Sequence, residues 1–93
     1  ESSVIQALQQ QLQHLQVQKQ GFKTIRNISS HHAERRTKQC LTPEEIVAVQ
    51  QIYVQEGLPW DQKEKLVVQE ILKIMDGKIE RKLAEIDQAR EVE

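Results

Sequence analysis

Apolar residues recur at alternating steps of three and four over the first part of the chain. The repeating positions are Ile5, Leu8, Leu12, Leu15, Lys19 and Phe22; Lys19 is the one polar residue among them, and we call the five apolar ones the leucine seam. This spacing is that of a heptad repeat, which places one stripe of a helix against another helix. We predict a coiled-coil-like helix over residues 1–28 that runs through Gly21, although a glycine inside a helix costs about 1 kcal/mol relative to alanine.

The stretch that follows, residues 29–41, shows no apolar periodicity. Its residues SSHHAERRTKQC include several that favour turns or contact with solvent. We predict a basic loop here.

A second helix is predicted from its start signals. Thr42 is a favourable N-cap, Pro43 suits the first helical position, and Glu45 stands where it can complete a capping box with Thr42. We expect this helix to cover residues 42–57, because glycine at position 57 readily adopts the left-handed conformation that ends many helices.

A third helix is predicted over residues 61–90. Asp61 and Glu64 repeat the spacing of a capping box directly after Pro59 and Trp60. Apolar residues again follow at steps of three and four, as expected for a helix with one buried stripe. The positions expected to face a partner helix are Val68, Leu72, Met75 and Ile79.

Together these elements predict an all-α fold of three helices in one folding unit. Helices joined by few residues are usually antiparallel neighbours, so residues 42–93 should form a helical hairpin, with the N-terminal helix as a coiled-coil-like addition. The second helix is too short to cover the third along its whole length. The first helix could cover the remainder from the same chain or from a second copy. We favour a second copy, and hence a homodimer.

Charge is distributed unevenly, although the formal net charge is only −1. Residues 1–38 carry six bases and two acids, a net of +4, and the remainder carries seven bases and twelve acids, a net of −5. The candidate anion-binding residues are Lys19, Lys23, Arg26, Arg35, Arg36 and Lys38. An ordinary solvated face has the same pattern, and we favour it because the chain as a whole is not basic. A dimeric nucleic-acid-associated protein that uses residues 19–38 is the alternative function.

Candidates for chemistry are few. His31, His32 and Cys40 are clustered in the sequence, but a structural zinc site takes four ligands at paired spacing. Cys40 has no second cysteine to pair with and no identifiable orienting group that would make a Cys–His nucleophile. We predict no metal, no cofactor and no enzymatic activity.

No apolar run approaches the roughly 20 residues that span a bilayer, and the chain does not open on a secretory signal. With one cysteine, this favours a soluble protein in the cytoplasm. The first residue is Glu1 rather than Met, which suggests a piece of a longer protein. The sequence therefore predicts a helical module for protein–protein interaction or oligomerisation, of the adaptor or scaffold type.

Overall fold

The computed structural model describes residues 3–25 and 31–92, and the regular elements in these ranges are helices. They are α1 (Ser3–Lys23), α2 (His31–Cys40), α3 (Pro43–Tyr53) and α4 (Trp60–Val92). The all-helical class is confirmed. The count of three helices is wrong, because α2 occupies the segment that was predicted to be a loop.

α2 forms because its sequence combines good helix formers with one apolar face. Ala33 is fully buried and Leu41, just after the helix, is 6% exposed. Between them, Thr37 Oγ1 donates to the Ala33 carbonyl at 2.9 Å. On the surface, Glu34 and Lys38 form an ion pair one turn apart at 3.4 Å. The Ala, Glu, Arg, Lys and Gln residues of this segment have high helix propensity, and they favour a helix here although the segment has no apolar repeat.

α3 begins as the sequence predicts. Thr42 is the N-cap, its Oγ1 accepts from the Glu45 backbone N–H at 3.2 Å, and Glu45 Oε1 accepts from the Thr42 N–H at 2.9 Å. The helix ends at Tyr53, earlier than predicted, and Gly57 lies in the turn that follows with a φ of +83°. The predicted capping box at the next helix is wrong, because α4 already begins at Trp60, with Asp61 inside its first turn.

α1 continues through Gly21 and ends at Lys23. Both the backbone N–H and the hydroxyl of Thr24 donate to the Gly21 carbonyl, at 3.3 and 2.8 Å. The end of α1 therefore falls before residue 28, where it was predicted. Residues 26–30 lie outside the described residues.

α3 packs against the first half of α4. At the start of α3, Glu45 forms an ion pair with Lys78 at 2.8 Å. At its end, the Tyr53 carbonyl accepts from Lys63 Nζ at 2.8 Å, and the Tyr53 and Trp60 rings lie 5.6 Å apart between centroids. The two helices therefore run in opposite directions along this half of α4.

α1 packs against the second half of α4. Lys19 forms an ion pair with Asp76, and Lys82 Nζ donates to Gln11 Oε1 at 2.8 Å. Ile5 and Ile86 are both buried towards the far end of this pair. Residue numbers fall along α1 as they rise along α4, so these helices also run in opposite directions.

The core lies where the four helices meet. Each helix, or the residue directly after it, contributes to one buried cluster that consists of Phe22, Ala33, Leu41, Val49, Val67, Ile71 and Met75. The described chain is nevertheless elongated, with extents of 53 × 21 × 18 Å and a radius of gyration of 15.7 Å. A compact chain of this length would have a radius of about 12 Å. The length reflects α4, whose 33 residues at about 1.5 Å each extend over about 50 Å.

Within residues 3–25 and 31–92, no helix is both long enough and apolar enough to cross a membrane.

Candidate functional site

The leucine seam packs within its own chain. Ile5 and Phe22 are buried, and Leu8, Leu12 and Leu15 are partly buried on the side of α1 that meets α4. The sequence favours a seam between two chains. The structure instead shows α1 against α4 of the same molecule, because α4 extends far enough beyond α3 to receive it.

The predicted facing residues of α4 are also used inside the molecule. Met75 is fully buried, Val68 and Leu72 pack against the core cluster, and Ile79 is partly buried. Met75 and Phe22 have essentially no exposed surface in the folded chain that a partner could contact. A partner must therefore contact other parts of these helices.

Lys78 lies at the point along α4 where the packing of α2 and α3 against this helix ends. Its Nζ donates to the Cys40 carbonyl at the end of α2 and pairs with Glu45 at the start of α3, both at 2.8 Å. The described bonds that join α2 and α3 to α4 lie between Trp60 and Lys78, whereas Lys82 bonds to α1. Beyond Lys78 the molecule therefore narrows to two helices, α1 and α4, which we call the arm.

A groove runs along the arm between its two helices and begins where α2 and α3 end. Its volume is about 660 Å³. It is lined by Ala7, Gln10, Gln11, His14 and Leu15 of α1 and by Lys78, Arg81, Lys82 and Glu85 of α4, and we call this surface the arm groove. Lys78 belongs both to the junction with α2 and α3 and to the groove, so the groove occupies the place that a third helix would take beside the arm.

Several polar side chains of the arm groove already have hydrogen-bond or ion-pair partners within the molecule. Lys82 donates to Gln11 and pairs with Glu85 at 2.9 Å, and Arg81 Nε donates to the Gly77 carbonyl at 3.3 Å. Elsewhere on the α4 part of the arm, Leu83 remains 45% exposed. The arm thus offers a mixed surface, with apolar area in the groove and charges of both signs along α4.

The five candidate anion-binding residues that the structure describes do not form one surface. Lys19 is paired with Asp76 on α4, and Lys38 is paired with Glu34 on α2. Lys23 is exposed at the end of α1, and Arg26 lies outside the described residues. Only Arg35 and Arg36 come together, in a cleft between α1 and α2 that also contains residues of α1 that the sequence did not single out.

Cys40 lies at the last position of α2, two residues before the N-cap of α3 at Thr42. Burial raises the pKa of the Cys40 thiol, and the nearby positive charges of Arg36 and Lys78 offset this only in part. The Cys40 thiol therefore ionises less readily than an exposed cysteine does. His31, His32 and Cys40 do not assemble into a metal site: in the part of the chain that the structure describes, no cluster of at least three His, Cys, Asp or Glu residues could hold a metal ion.

Comparisons with protein-family models, with curated proteins and with solved structures find no match to this chain.

Proposed function

We propose that this chain is a non-enzymatic helical interaction module that pairs with a second copy of itself through the arm groove. The observation that carries the proposal is the change from four packed helices to two beyond Lys78. In this interpretation α3 and the first half of α4 act as a hairpin that holds the core, and the arm extends the module towards its partner.

The shape of the groove favours a helix as the bound element. Two neighbouring helices present ridges and grooves of side chains into which a third helix can pack, and amphipathic helices commonly bind in such grooves. The arm of a second copy would supply two helices at once. The result is a four-helix arrangement of the kind found in helical bundles.

The charges of the arm favour a second copy over a strongly charged partner. Residues 2–18 contain no Asp, Glu, Lys or Arg, so the α1 wall of the groove does not repel an identical wall. Residues 76–92 of α4 contain five acids and four bases. In a two-fold symmetric pair, the same patch meets itself, and mixed signs allow Arg81 of one copy to approach Glu85 of the other.

The proposal predicts a concentration-dependent dimer that is weakened by changes in the groove. Ala7→Glu places a longer, charged side chain in the groove at an exposed helical position, where it should fill the space without disturbing the fold. Desolvating that carboxylate in a dimer is unfavourable, and we expect the dimer Kd to rise about tenfold or more. The measurement is the solution mass by light scattering over a range of concentrations.

Ala48→Glu is the matched control, because Ala48 is exposed on α3 and does not line the groove. It should leave the dimer Kd within about twofold of the original chain. Leu12→Asp would be a less informative variant, since Leu12 is partly buried against α4 and a carboxylate there should destabilise the arm itself. A chain that stays monomeric at every concentration would contradict the proposal.

A further inference from the structure

A second cleft, lined mostly by polar residues, lies between α1 and α2. Its volume is about 340 Å³. The side chains in it that can donate hydrogen bonds are His14, Gln18, His32, Arg35, Arg36 and Gln39. No Asp or Glu of the described residues lines it. The cleft therefore gathers donors and positive charge without a carboxylate to neutralise them.

Gly21 allows Arg36 to reach into this region. A Cβ added at Gly21 would overlap the Arg36 guanidinium group, which lies directly against the α1 backbone. Arg36 Nη2 donates to His32 Nε2 at 3.3 Å, one turn away on the same helix. The guanidinium group is thus held in one place between two helices rather than extended into solvent.

The hydrogen-bonding capacity of Arg36 is not fully used. Its Nε is buried and has no hydrogen-bond partner among the described residues. Lys19, Lys38 and Lys78 each have a carboxylate partner, whereas the described structure gives no ion pair to either Arg35 or Arg36. A buried donor without an acceptor is costly and usually indicates a group that a ligand or water satisfies.

We propose that the cleft between α1 and α2 binds a tetrahedral oxyanion of the phosphate class, either free or carried by a phosphorylated side chain. Guanidinium groups donate paired N–H bonds in a geometry that matches phosphate oxygens. Arg35 and Arg36 supply the charge, and the amides of Gln18 and Gln39 supply further donors. His14 and His32 complete the ring of polar groups around the ligand.

The composition of the cleft favours a compact anion over a nucleic-acid strand. Proteins that bind single strands combine a long basic groove with aromatic side chains on which bases stack. No Phe, Tyr or Trp lines this cleft, and the nearby bases Lys19 and Lys38 are already paired. An extended nucleic-acid strand would therefore contact one positively charged site and not a continuous basic groove.

The test is a titration of the intact chain with inorganic phosphate at constant ionic strength, followed by amide chemical shifts. Saturable shifts are expected at Gln18, His32, Arg35 and Arg36. Arg35→Gln, at an exposed position, should weaken phosphate binding about tenfold, because a charge-assisted hydrogen bond is lost. Lys38→Gln removes the same charge from the same helix outside the cleft and should change the affinity by about twofold at most.

Gly21→Ala should displace the Arg36 guanidinium group without lowering the stability of the fold. The new Cβ displaces only the end of a flexible side chain, and alanine favours the helix, so the melting temperature should hold or rise while phosphate binding weakens. Gly77→Ala is the control, because nothing lies within 4 Å of a Cβ there and binding should be unchanged.

A phosphoserine peptide in place of inorganic phosphate identifies the source of the anion. If Arg35→Gln weakens the binding of inorganic phosphate or of the phosphoserine peptide, the site is supported. The probe that binds more tightly then identifies the source of the anion. Shifts that do not saturate, or that Lys38→Gln reduces as much as Arg35→Gln, would overturn it. So would binding of a single-stranded oligonucleotide without binding of phosphate, which would indicate an extended nucleic-acid surface instead.

Discussion

The Lys78 ammonium group joins α4 to both α2 and α3. It reaches the Cys40 carbonyl and the Glu45 carboxylate at 2.8 Å each, and its side chain is only 18% exposed. At such a position a charge that lost its partners would be costly, because little water can replace them. The same residue fixes the level at which the arm begins.

Lys78→Met should destabilise the fold measurably. Met keeps much of the aliphatic chain but leaves the Cys40 carbonyl and Glu45 without their donor, so we expect a loss of about 2 kcal/mol in the free energy of unfolding. Urea denaturation measures it. Lys73→Met, at an exposed position of the same helix, should cost no more than about 0.5 kcal/mol. Equal losses in the two variants would show that Lys78 does not connect the helices.

Glu45 predicts a pH dependence of stability. Burial alone would raise the pKa of this carboxyl, but hydrogen bonds from Lys78 and Thr42 outweigh burial and lower it below the ordinary value of 4.5. A group whose pKa is lower in the folded state stabilises that state above its unfolded pKa, and this contribution is lost as the pH falls through the folded pKa. The stabilisation of the folded state by the Glu45 charge should therefore be complete at neutral pH and decrease below about pH 4.5.

Glu45→Gln provides the comparison for this pH dependence. Gln keeps an oxygen that can accept from the Thr42 N–H, so the capping box survives while the ion pair with Lys78 is lost. The stability gap between the original chain and this variant, followed by thermal unfolding, should close on acidification. A gap that stays constant into acid would contradict the assigned role of the charge.

At the scale of elements, the start of α3 was predictable from neighbouring residues, whereas the capping box predicted at Asp61 and Glu64 does not start α4. The capping box at Thr42 and Glu45 lies within one turn, and the sequence placed it correctly. α2 was missed because its helix depends on contacts from other helices: Ala33 and Leu41 are apolar positions only two turns apart, with no longer periodic pattern around them. Gly57 was misassigned as a helix end since its positive φ serves a turn beyond the helix.

Leu41→Ala tests whether α2 is held by burial. Leu41 is 6% exposed and belongs to the core cluster, so its truncation should cost about 2–4 kcal/mol and should increase hydrogen exchange of the α2 amides most. Val47→Ala, at a position that is 53% exposed, should have little effect. Fast exchange at residues 31–40 in the unaltered chain would contradict a stable α2.

At the scale of the molecule, the sequence indicated that α3 is too short to cover α4, and it left open whether the first helix of the same chain or of a second copy covers the rest. That answer depends on how α1, α2 and α3 share the length of α4, which involves contacts between residues far apart in the chain. The arm groove arises from the same arrangement: its two walls lie about 70 residues apart in sequence, as Gln11 and Lys82 show. The cleft of Arg35 and Arg36 likewise combines α1 with a helix that the sequence analysis had not predicted.

The pairing of two arms is tested most directly by nuclear Overhauser effects between differently labelled copies of the chain. A mixture of isotope-labelled and unlabelled chains reports contacts between molecules and excludes those within one molecule. The account predicts intermolecular contacts between residues 7–15 of one copy and residues 78–85 of the other, the two walls of the arm groove. Absence of intermolecular contacts, or contacts confined to α2 and α3, would contradict it.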